Sequence, residues 1–552
     1  MNKNSINTLI LFLLISVLEA SAQLAPNIYW IQFTDKTDNP FSFTAPEAYL
    51  SSRSIERRER YNIEIDIKDI PINQWYLDSL TNKGANILNK SKWMNGAAVY
   101  ISDQTILTEI YNLEFVSEDA SNSPEFTMNL TPLNLDNNLT EIEADYYSYG
   151  YGYNQINIHQ GEVLHNNGFR GEGIQIAIID AGFKIVDEVP AFDSLFINNQ
   201  IIGTWDFVTN DTSVFEDHYH GKAVLSTIAA NLPGQFIGTA PKAEFLLLRS
   251  ENSISEYKIE EIAWLQAAEY ADSIGVDIIT TSLGYNTYTQ PSTSYTWDDL
   301  DGQTAPITQG TNIAFEKGIF MVTSAGNEGA NSWQKISSPA DAQNALTVGA
   351  CDNIGAYASF SSKGNTADGR IKPDIVAQGK STTVITGLDP TSGNGTSFST
   401  PIIAGLVACL WQVDRSKTNL EIKDLVLRHS SQYQNPDSLL GYGIPNFAGA
   451  FNEIRVDDAV KESGKEQLVN VYPTVFDNYI NFRFFAVKQG TISVQILSVN
   501  GCLIREEIFP VDSNKILNFQ LENLQILNSG VYLFRLIQDD QVFVKRIIKN
   551  NL

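Results

Sequence analysis

The spacing of hydrophobic residues divides the chain into three regions. Residues 27 to about 130 carry short alternating runs such as IYWIQF and GAAVYIS, and one charged stretch of helical character, SSRSIERRERY. From Gln155 to about Ile454, apolar runs such as IQIAIID alternate with helical segments such as IEEIAWLQAAEYADSIG. The last region contains only short strands separated by turns. The pattern therefore predicts three folded regions of different class.

Each pattern is typical of one architecture. Alternating strands and helices form βαβ units around a parallel sheet, whereas strands joined by turns form a sandwich. We expect a three-layer α/β domain with a mostly parallel central sheet, preceded by a small α+β region and followed by a C-terminal β-sandwich. The polar, acidic segments 131–155 and 455–467 separate these regions. The predicted boundaries are 23–145 for the first region with its linker, 146–455 for the α/β domain, 456–468 for the second linker and 469–552 for the sandwich.

Composition and charge narrow the classes of function. The 552 residues are 43% hydrophobic and 18% charged, which is typical of globular, soluble proteins. The formal net charge of −27 argues against a nucleic-acid partner, because phosphate binding requires clustered Lys and Arg. The three cysteines, Cys351, Cys409 and Cys502, are scattered, so no disulfide framework is expected.

The first residues have the features of an export signal. Lys3 precedes the apolar run TLILFLLISVL, and residues 20–22 form an A-x-A cleavage site. We therefore predict a signal peptide at residues 1–22 and an exported protein. The apolar run is shorter than a membrane-spanning helix, and no second run of this kind follows, so no transmembrane segment is expected in the mature chain.

Four polar residues are predicted to lie at one edge of the parallel sheet. Asp180 ends the strand IQIAIID and Asn327 follows the strand GIFMVTSAG, while His220 and Ser397 each precede a helix. Strand ends and helix starts in a parallel sheet share the carboxyl edge, where ligands collect. A serine attacks when an imidazole takes its proton and a carboxylate orients that imidazole. The Asn327 amide and the Ser397 N–H would then bind an oxyanion.

The stretch NGTSFSTP, residues 394–401, precedes the apolar run IIAGLVACLW. Gly395 would permit a close backbone approach, and Ser397 would be presented at the helix N-terminus. We expect Pro401 to be tolerated because it falls in the first helical turn.

Several sequence blocks together resemble the subtilisin-like serine peptidases. They are IAIIDAGF, HYHGKAVLSTIAA, SLG, SAGNEG and NGTSFSTP, in the order and spacing of that family and over about 300 residues. The resemblance implies a secreted endopeptidase with Asp180, His220 and Ser397 as its triad and Asn327 as the oxyanion residue. It also implies that Ser282, Leu283 and Gly284 pair with the substrate backbone. The loop containing Ala325 and Gly326 would contribute to substrate binding.

Each of these residues also has a simpler explanation. A strand-end Asp is usually a turn residue and a Ser before a helix is usually a cap. His218 is the nearest alternative base, although Gly221 after His220 matches the family block. No cofactor is expected. The acidic loop with Asp298, Asp299 and Asp301 leaves structural calcium open, but it lacks the EF-hand spacing and a solvated loop is the preferred interpretation.

Four positions depart from the usual family pattern. Ala181 replaces a hydroxyl residue after the aspartate, Lys222 and Ala223 replace Thr and His after the His-Gly pair, and Ser399 replaces a small alanine. None of these changes removes a reacting atom. They bear on turnover rate and local packing.

The outer regions resemble companions of such enzymes. Residues 27–130 are similar to an N-terminal prodomain, with an accessory binding domain as the alternative. The last 85 or so residues resemble a type IX secretion sorting domain, with a carbohydrate-binding or adhesive sandwich as the alternative. The resemblance implies protein or peptide substrates, the outer-membrane type IX machinery as partner, and a secreted or surface-attached protein of a Gram-negative bacterium.

Two other functions remain open from the sequence. A catalytically weak or inactive surface-binding protein could use the same scaffold, and it would not react with a fluorophosphonate probe. A serine esterase or peptide ligase would react with the probe but would prefer esters or amine acceptors.

Overall fold

The computed structural model describes residues 23–117, 146–463, 467–472, 475–476, 478–486, 489–511, 515–538 and 541–549. The predicted signal peptide (1–22) and most of the predicted first linker (118–145) lie outside the described residues. Internal contacts divide the chain into two units. Among the described residues, the first unit comprises 23–117 and 146–448, and the second comprises those from Gly449 onward.

The N-terminal region is a four-stranded antiparallel sheet with helices, in agreement with the α+β prediction. Its sheet order is β1-β2-β4-β3. The elements are β1 (Gln23–Ala25), β2 (Ile28–Gln32), α1 (Ser52–Tyr61), α2 (Gln74–Asn82), β3 (Asn86–Ser91), β4 (Gly96–Tyr100) and α3 (Gln104–Tyr111). Helix α1 begins where the Ser51 side chain accepts a hydrogen bond from Ser54 N, and it ends at Asn62 in the left-handed conformation.

Seven parallel strands form the central sheet of the α/β domain, in the order β13-β12-β11-β10-β5-β9-β6. This confirms the predicted fold class. Two hairpins, β7-β8 and β14-β15, lie outside the sheet. The strands are β5 (Gln175–Asp180), β6 (Ile201–Asp206), β7 (Asn231–Leu232), β8 (Phe236–Ile237), β9 (Glu244–Arg249), β10 (Ile278–Thr281), β11 (Phe320–Ser324), β12 (Leu346–Cys351), β13 (Ile375–Gln378), β14 (Thr382–Ile385) and β15 (Pro390–Gly393).

Helices cover both faces of this sheet. The helices of this domain are α4 (Tyr153–Asn157), α5 (Glu162–Asn166), α6 (Asp193–Ile197), α7 (His220–Ala229), α8 (Ile259–Ile274), α9 (Pro306–Glu316), α10 (Thr396–Val413) and α11 (Asn419–Arg428). Helix α12 (Phe447–Ser463) begins at the end of the first unit and continues in the second. Ala177 and Ile179 of β5 belong to the same buried cluster as residues of α8 and α9. Side chains alternate along a strand, so Ile176 and Ile178 point to the opposite face, where α7 and α10 pack together.

Helix α10 is long and apolar enough to span a membrane by length and composition alone. It is instead a core helix, because 89% of its apolar window is buried inside the protein. It contacts β10, β11, β12 and β13. These contacts hold the N-terminus of α10 at the carboxyl edge of the sheet.

Two sheets form the C-terminal unit, as the prediction of a β-sandwich requires. One has the order β16-β18-β21 and the other β17-β23-β22-β19-β20. The strands are β16 (Gln467–Tyr472), β17 (Val475–Phe476), β18 (Ile480–Ala486), β19 (Gly490–Ser498), β20 (Leu503–Val511), β21 (Lys515–Leu521), β22 (Gly530–Gln538) and β23 (Gln541–Lys549). One buried cluster, which includes Phe482 and Phe534, joins the two sheets. The predicted linker 456–468 is helical up to Ser463, where α12 ends.

Candidate active site

Asp180 and His220 form a direct pair at the carboxyl edge of the sheet. Asp180 is the last residue of β5 and is buried, and His220 is the first residue of α7. The Nδ1–H of His220 donates to Oδ1 of Asp180 over 2.7 Å. The carboxylate therefore fixes the ring and leaves Nε2 as the atom that can accept a proton. About a quarter of the His220 side chain, 27%, is exposed to solvent.

The charge of Asp180 changes the basicity of His220. Burial disfavours the charged imidazolium, but the charge and the hydrogen bond of Asp180 outweigh it and raise the pKa of His220 above its usual value. His220 therefore holds a proton more strongly than an exposed histidine would.

A glycine allows α7 to approach β5 so closely. A Cβ at Gly221 would lie 2.5 Å from the Gly182 carbonyl oxygen and 3.1 Å from Asp180 Cβ. Any larger residue would push the start of α7 away from Asp180. This packing is a physical reason for the His-Gly pair in the sequence block.

Ala181 affects the hydrogen bonding of Asp180. Its backbone N–H donates to Asp180 Oδ1 over 2.7 Å, so this oxygen accepts two hydrogen bonds. The second oxygen, Oδ2, is buried and accepts none from the described residues. Ala181 has no hydroxyl group with which to reach Oδ2.

Ser397 lies in the first turn of α10, but its hydroxyl does not contact His220. Its Oγ donates to the carbonyl oxygen of Ser282 over 3.3 Å. Among the described residues, no hydrogen bond joins Ser397 to the His220 ring. The structure brings Ser397 to the same edge of the sheet and places the ring of the next residue, Phe398, 6.1 Å from the His220 ring.

Pro401 does not fall in the first turn of the helix, so that prediction was wrong. Helix α10 begins at Thr396, which makes Pro401 its sixth residue. A proline there has no N–H to donate to the carbonyl four residues earlier, which belongs to Ser397. The Ser282 hydroxyl replaces that donor, because its Oγ donates to Ser397 O over 2.9 Å. Ser282 thus contacts Ser397 through two reciprocal hydrogen bonds.

Asn327 lies beside the start of α10, as predicted. Its Oδ1 accepts hydrogen bonds from Thr396 N over 2.8 Å and Thr396 Oγ1 over 3.1 Å, which leaves Nδ2 as the donor. A Cβ at Gly395 would lie 3.6 Å from Ser397 N and 3.7 Å from Asn327 Nδ2. The two predicted oxyanion donors therefore approach a common point. Sequence reasoning missed the role of Thr396, although the residue stands inside the block NGTSFSTP.

The predicted substrate-binding residues lie on two neighbouring loops. Leu283 and Gly284 follow β10, and the Leu283 carbonyl accepts a hydrogen bond from Ser324 Oγ over 3.3 Å. Ala325 N donates to Val348 O over 3.0 Å, and Gly326 O accepts from Ser362 N over 2.9 Å. Gly284 is exposed, whereas Ala325 is fully buried.

His218 lies on the loop before α7, as expected. Its Nδ1 accepts a hydrogen bond from His220 N over 3.3 Å. This bond joins the loop to the first residue of α7. Lys222 is buried and donates to Gly387 O over 3.0 Å. Ser399 donates to Thr396 O over 3.1 Å. These last two departures from the family pattern are therefore accommodated by backbone acceptors.

The carboxylates of the acidic loop are used in local hydrogen bonds. Asp299 Oδ2 accepts from the backbone and hydroxyl groups of Thr296, which forms a capping box. Asp301 accepts from Gln303 N and Thr304 N. Such bonds are typical of turns, and calcium binding by this loop stays a prediction.

Comparison with known proteins identifies the family. The Peptidase S8 (subtilase) family profile matches residues 171–443. M-protease of Shouchella clausii (strain KSM-K16) is 30% identical over 362 residues, which cover 63% of this chain and 85% of M-protease. This chain belongs to the subtilase family. The subtilase is also similar to subtilisin BL of Lederbergia lenta, at 31% identity over 53% of this chain and 95% of that protein. It is a subtilisin-like serine endopeptidase.

The two flanking regions of the subtilase match other families. Residues 28–138 match the peptidase S8 propeptide domain of Bacteroidota, and residues 470–550 match the secretion system C-terminal sorting domain. Among solved structures, the crystal structure of MycP1 from Mycobacterium smegmatis is similar, with a TM-score of 0.43 and 20% identity over 56% of this chain and 87% of that one.

Proposed function

We propose that this subtilase is a secreted endopeptidase that uses Asp180, His220 and Ser397 as its catalytic triad. The observation that carries the proposal is the 2.7 Å hydrogen bond from His220 Nδ1 to Asp180 Oδ1, which leaves His220 Nε2 to serve as the general base. Ser397 lies at the same edge of the sheet, at the start of a buried helix.

The reaction requires the Ser397 side chain to change its hydrogen-bond partner. In the free enzyme Oγ donates to Ser282 O. Rotation about the Cα–Cβ bond of Ser397 would direct Oγ to His220 Nε2, and hydrogen bonds of this kind often tighten only when substrate binds. His220 then takes the proton as Ser397 attacks the peptide carbonyl, and Asp180 stabilises the imidazolium.

The tetrahedral intermediate would be bound by two donors. Asn327 Nδ2 and Ser397 N approach a common point beside Gly395, and the N-terminus of α10 favours negative charge there. His220 returns the proton to the leaving amine, and water repeats the cycle on the acyl-enzyme. Ser282, Leu283 and Gly284 would pair with the substrate backbone, and the Ala325–Gly326 loop would contact the side chain next to the cleaved bond.

The matches of the flanking regions support a route for maturation and export. We propose that residues 28–138 act as a propeptide and that the C-terminal sandwich is recognised by an outer-membrane secretion machinery of a Gram-negative bacterium of the Bacteroidota. The mature enzyme would then be secreted or attached to the cell surface, where it would act on proteins or peptides.

Replacement of the nucleophile tests the proposal. We expect Ser397→Ala to lose activity on casein and labelling by a fluorophosphonate probe, and to keep only about 10³–10⁴-fold acceleration over water. Ser399→Ala is the matched control, because it removes a buried hydroxyl two residues away in the same helix, and it should retain labelling. Casein cleavage by Ser397→Ala at the rate of the parent would refute the assignment. Comparison of peptide and ester turnover by the parent would separate an endopeptidase from an esterase.

A further inference from the structure

Three glutamates meet beside the candidate active site, at a place that sequence reasoning did not single out. Glu251 and Glu256 lie in the loop after β9, and Glu260 lies in the first turn of α8. Each offers one carboxylate oxygen, and these three oxygens lie within 4.8 Å of one another. The three glutamates stand close together in the sequence, in the segment ENSISEYKIE. The convergence of their side chains on one point depends on the fold.

Glu260 is the member of the cluster whose burial indicates a binding site. Its side chain is 3% exposed, and its Oε2 is buried without a hydrogen-bond donor among the described residues. The carboxylate of Glu260 faces those of Glu251 and Glu256. Backbone groups of Asn252 and Tyr257 bond to the Glu260 carboxyl, but burial still disfavours its charged form. A cation bound at Oε2 would stabilise that form.

Lys and Arg do not supply that positive charge in the described part of the chain, although the charge of His220 acts on Glu251. No Lys or Arg forms an ion pair with any of the three glutamates there. The nearest basic residue in sequence, Lys258, instead lies over the Tyr295 ring, with its Nζ 4.4 Å from the centroid. Tyr285 donates its hydroxyl hydrogen to Glu251 Oε1 and orients that carboxylate, but it brings no positive charge.

Hydrogen bonds to a neighbouring segment hold the loop that carries Glu251 and Glu256. Glu256 N donates to Thr289 Oγ1 over 3.1 Å, and Thr289 N donates to Glu256 O over 2.8 Å. These two bonds join the loop after β9 to the segment after β10.

Burial, followed by the repulsion between the carboxylates, raises the pKa of Glu251 to about 8 and of Glu260 to about 10, while burial raises that of Glu256 to about 7.

We propose that Glu251, Glu256 and Glu260 bind a divalent cation, and that the chemistry of the ligands selects Ca²⁺. Oxygen ligands lie about 2.3–2.6 Å from Ca²⁺, so two of them on one ion can be up to about 4.6–5.2 Å apart, which accommodates the observed separations of at most 4.8 Å. Mg²⁺ requires about 2.0–2.1 Å and keeps several waters, and Zn²⁺ prefers nitrogen and sulfur.

The ion would connect three segments that meet at the candidate active site. It would link the loop after β9 to the first turn of α8 and, through Tyr285, to the segment that carries Gly284. Strand β9 pairs with β5 so that Arg249 lies opposite Asp180, and Ser250 N donates to Asp180 O over 3.1 Å. A cation here would therefore hold the substrate-binding edge and the end of β5 in place. This inference does not depend on the proposed triad.

Terbium luminescence on the full chain tests the site. The parent would carry Ser397→Ala to prevent self-digestion, and it would first be stripped with a chelator. Tb³⁺ binding should be sensitised by Tyr285, which contacts Glu251, and Ca²⁺ should displace it. We expect Ca²⁺ affinity in the range of extracellular sites, a Kd of about 10⁻⁴–10⁻³ M. Glu260→Gln should weaken it by at least about tenfold.

The matched control is Asp301→Asn, in the other acidic loop, which should leave Tb³⁺ and Ca²⁺ affinity unchanged. Unaltered affinity in Glu260→Gln, or loss only in Asp301→Asn, would overturn the proposal. So would an absence of Tb³⁺ and Ca²⁺ binding by the parent. In the enzyme that retains Ser397, Glu260→Gln should not selectively slow the cleavage of peptides with Lys or Arg. If it did so, the cluster would bind a substrate side chain and the proposal would fail.

Thermal unfolding distinguishes a lost site from a damaged fold. With chelator present, Glu260→Gln should melt at the same temperature as the parent or higher, because Gln is a neutral side chain of the same size and cannot carry the charge that burial disfavours. Added Ca²⁺ should raise the melting temperature of the parent and not that of the variant. If Glu260→Gln does not fold, Glu256→Gln provides the same comparison, since Glu256 is only half-buried. Equal stabilisation of parent and variant by Ca²⁺ would contradict the site.

Discussion

At the scale of single residues, the environment of His220 decides how the site responds to pH. Sequence reasoning placed Asp180 at a strand end and His220 at a helix start, and both positions follow from the alternation of strands and helices. It could not give the orientation of the Ser397 hydroxyl, because that depends on the Ser282 carbonyl, 115 residues away in sequence. Local pattern thus gives the position of these residues, whereas long-range contacts set their hydrogen bonds.

Replacing Asp180 with Asn should change both the rate and the pH profile. A general base must be neutral, so kcat/KM rises as the pH rises through the pKa of His220, which Asp180 raises. Without the carboxylate this pKa falls, and the rising limb of the profile should move to lower pH. We also expect kcat to fall by about 10⁴-fold because the imidazolium loses its counter-charge and its tautomer is no longer fixed.

The measurement is kcat/KM on a peptide substrate between pH 5 and 9. Asp187→Asn, which alters an exposed carboxylate in the loop after β5, should leave the limb in place. A limb that stays at the same pH in Asp180→Asn would show that Asp180 does not control the basicity of His220.

At the scale of elements, the sequence predicts buried strands and helices better than edge strands. Strand β5 is buried over almost its whole length, and its apolar run predicted it directly. The edge strand β6, with sequence IIGTWD, was not predicted because five of its six residues are only partly buried and its pattern is mixed. The position of Pro401 was misassigned for a related reason: the start of α10 depends on contacts of Thr396 with Asn327.

The bond from Ser282 to α10 can be tested by a double-mutant cycle. In the parent, Ser282→Ala leaves the buried Ser397 carbonyl without a donor, which should cost about 1–3 kcal/mol of unfolding free energy. Pro401→Ala restores a backbone N–H that can donate to the same carbonyl. In that background, Ser282→Ala should cost distinctly less. Urea unfolding of the four proteins, each carrying Ser397→Ala, gives the coupling, and strict additivity would contradict the exchange of donors.

At the scale of the whole molecule, buried charges join the N-terminal region to the α/β domain. Arg58 Nη2 lies 2.8 Å from Asp272 Oδ2 of α8 and 2.6 Å from Asp69 Oδ1, while Lys317 Nζ lies 2.8 Å from Asp69 Oδ2. Arg57 also pairs with Asp272, and all these groups are buried. The sequence could not predict this network, because a charged helix usually faces solvent and Asp272 lies more than 200 residues away from its arginine partners.

Asp272→Asn should therefore be strongly destabilising. It leaves the Arg57 and Arg58 guanidinium groups buried with less opposing charge, a change that typically costs about 3–5 kcal/mol. The exposed Lys83–Glu109 pair is the control, since Glu109→Gln should cost no more than about 1 kcal/mol. Denaturant unfolding of the full chain carrying Ser397→Ala measures both values. Similar costs for the two variants would mean that the network does not stabilise the docking of the N-terminal region.

Two buried histidines should make the first unit sensitive to acid. His165 Nε2–H donates to Thr239 O over 2.9 Å and Nδ1 accepts from the Tyr149 hydroxyl over 2.8 Å, so the neutral ring satisfies both partners. His159 Nδ1–H donates to Pro445 O over 3.1 Å. Burial lowers the pKa of each ring from 6.5 to about 4. Between these values the unfolded chain binds protons that the folded chain does not.

The stability that these rings provide is therefore present above about pH 6.5 and is lost as the pH falls toward 4, by about 3 kcal/mol for each ring. His165→Gln retains a donor for Thr239 O, and His159→Asn retains one for Pro445 O, while neither side chain titrates. Comparison of urea unfolding at pH 7 and pH 5 should show a smaller acid loss in each variant than in the Ser397→Ala parent. The comparison is a difference between matched proteins, so carboxylates that titrate in the same range cancel. An equal loss in parent and variants would mean that both rings accept a proton in the folded state, against the hydrogen bonds that hold them neutral.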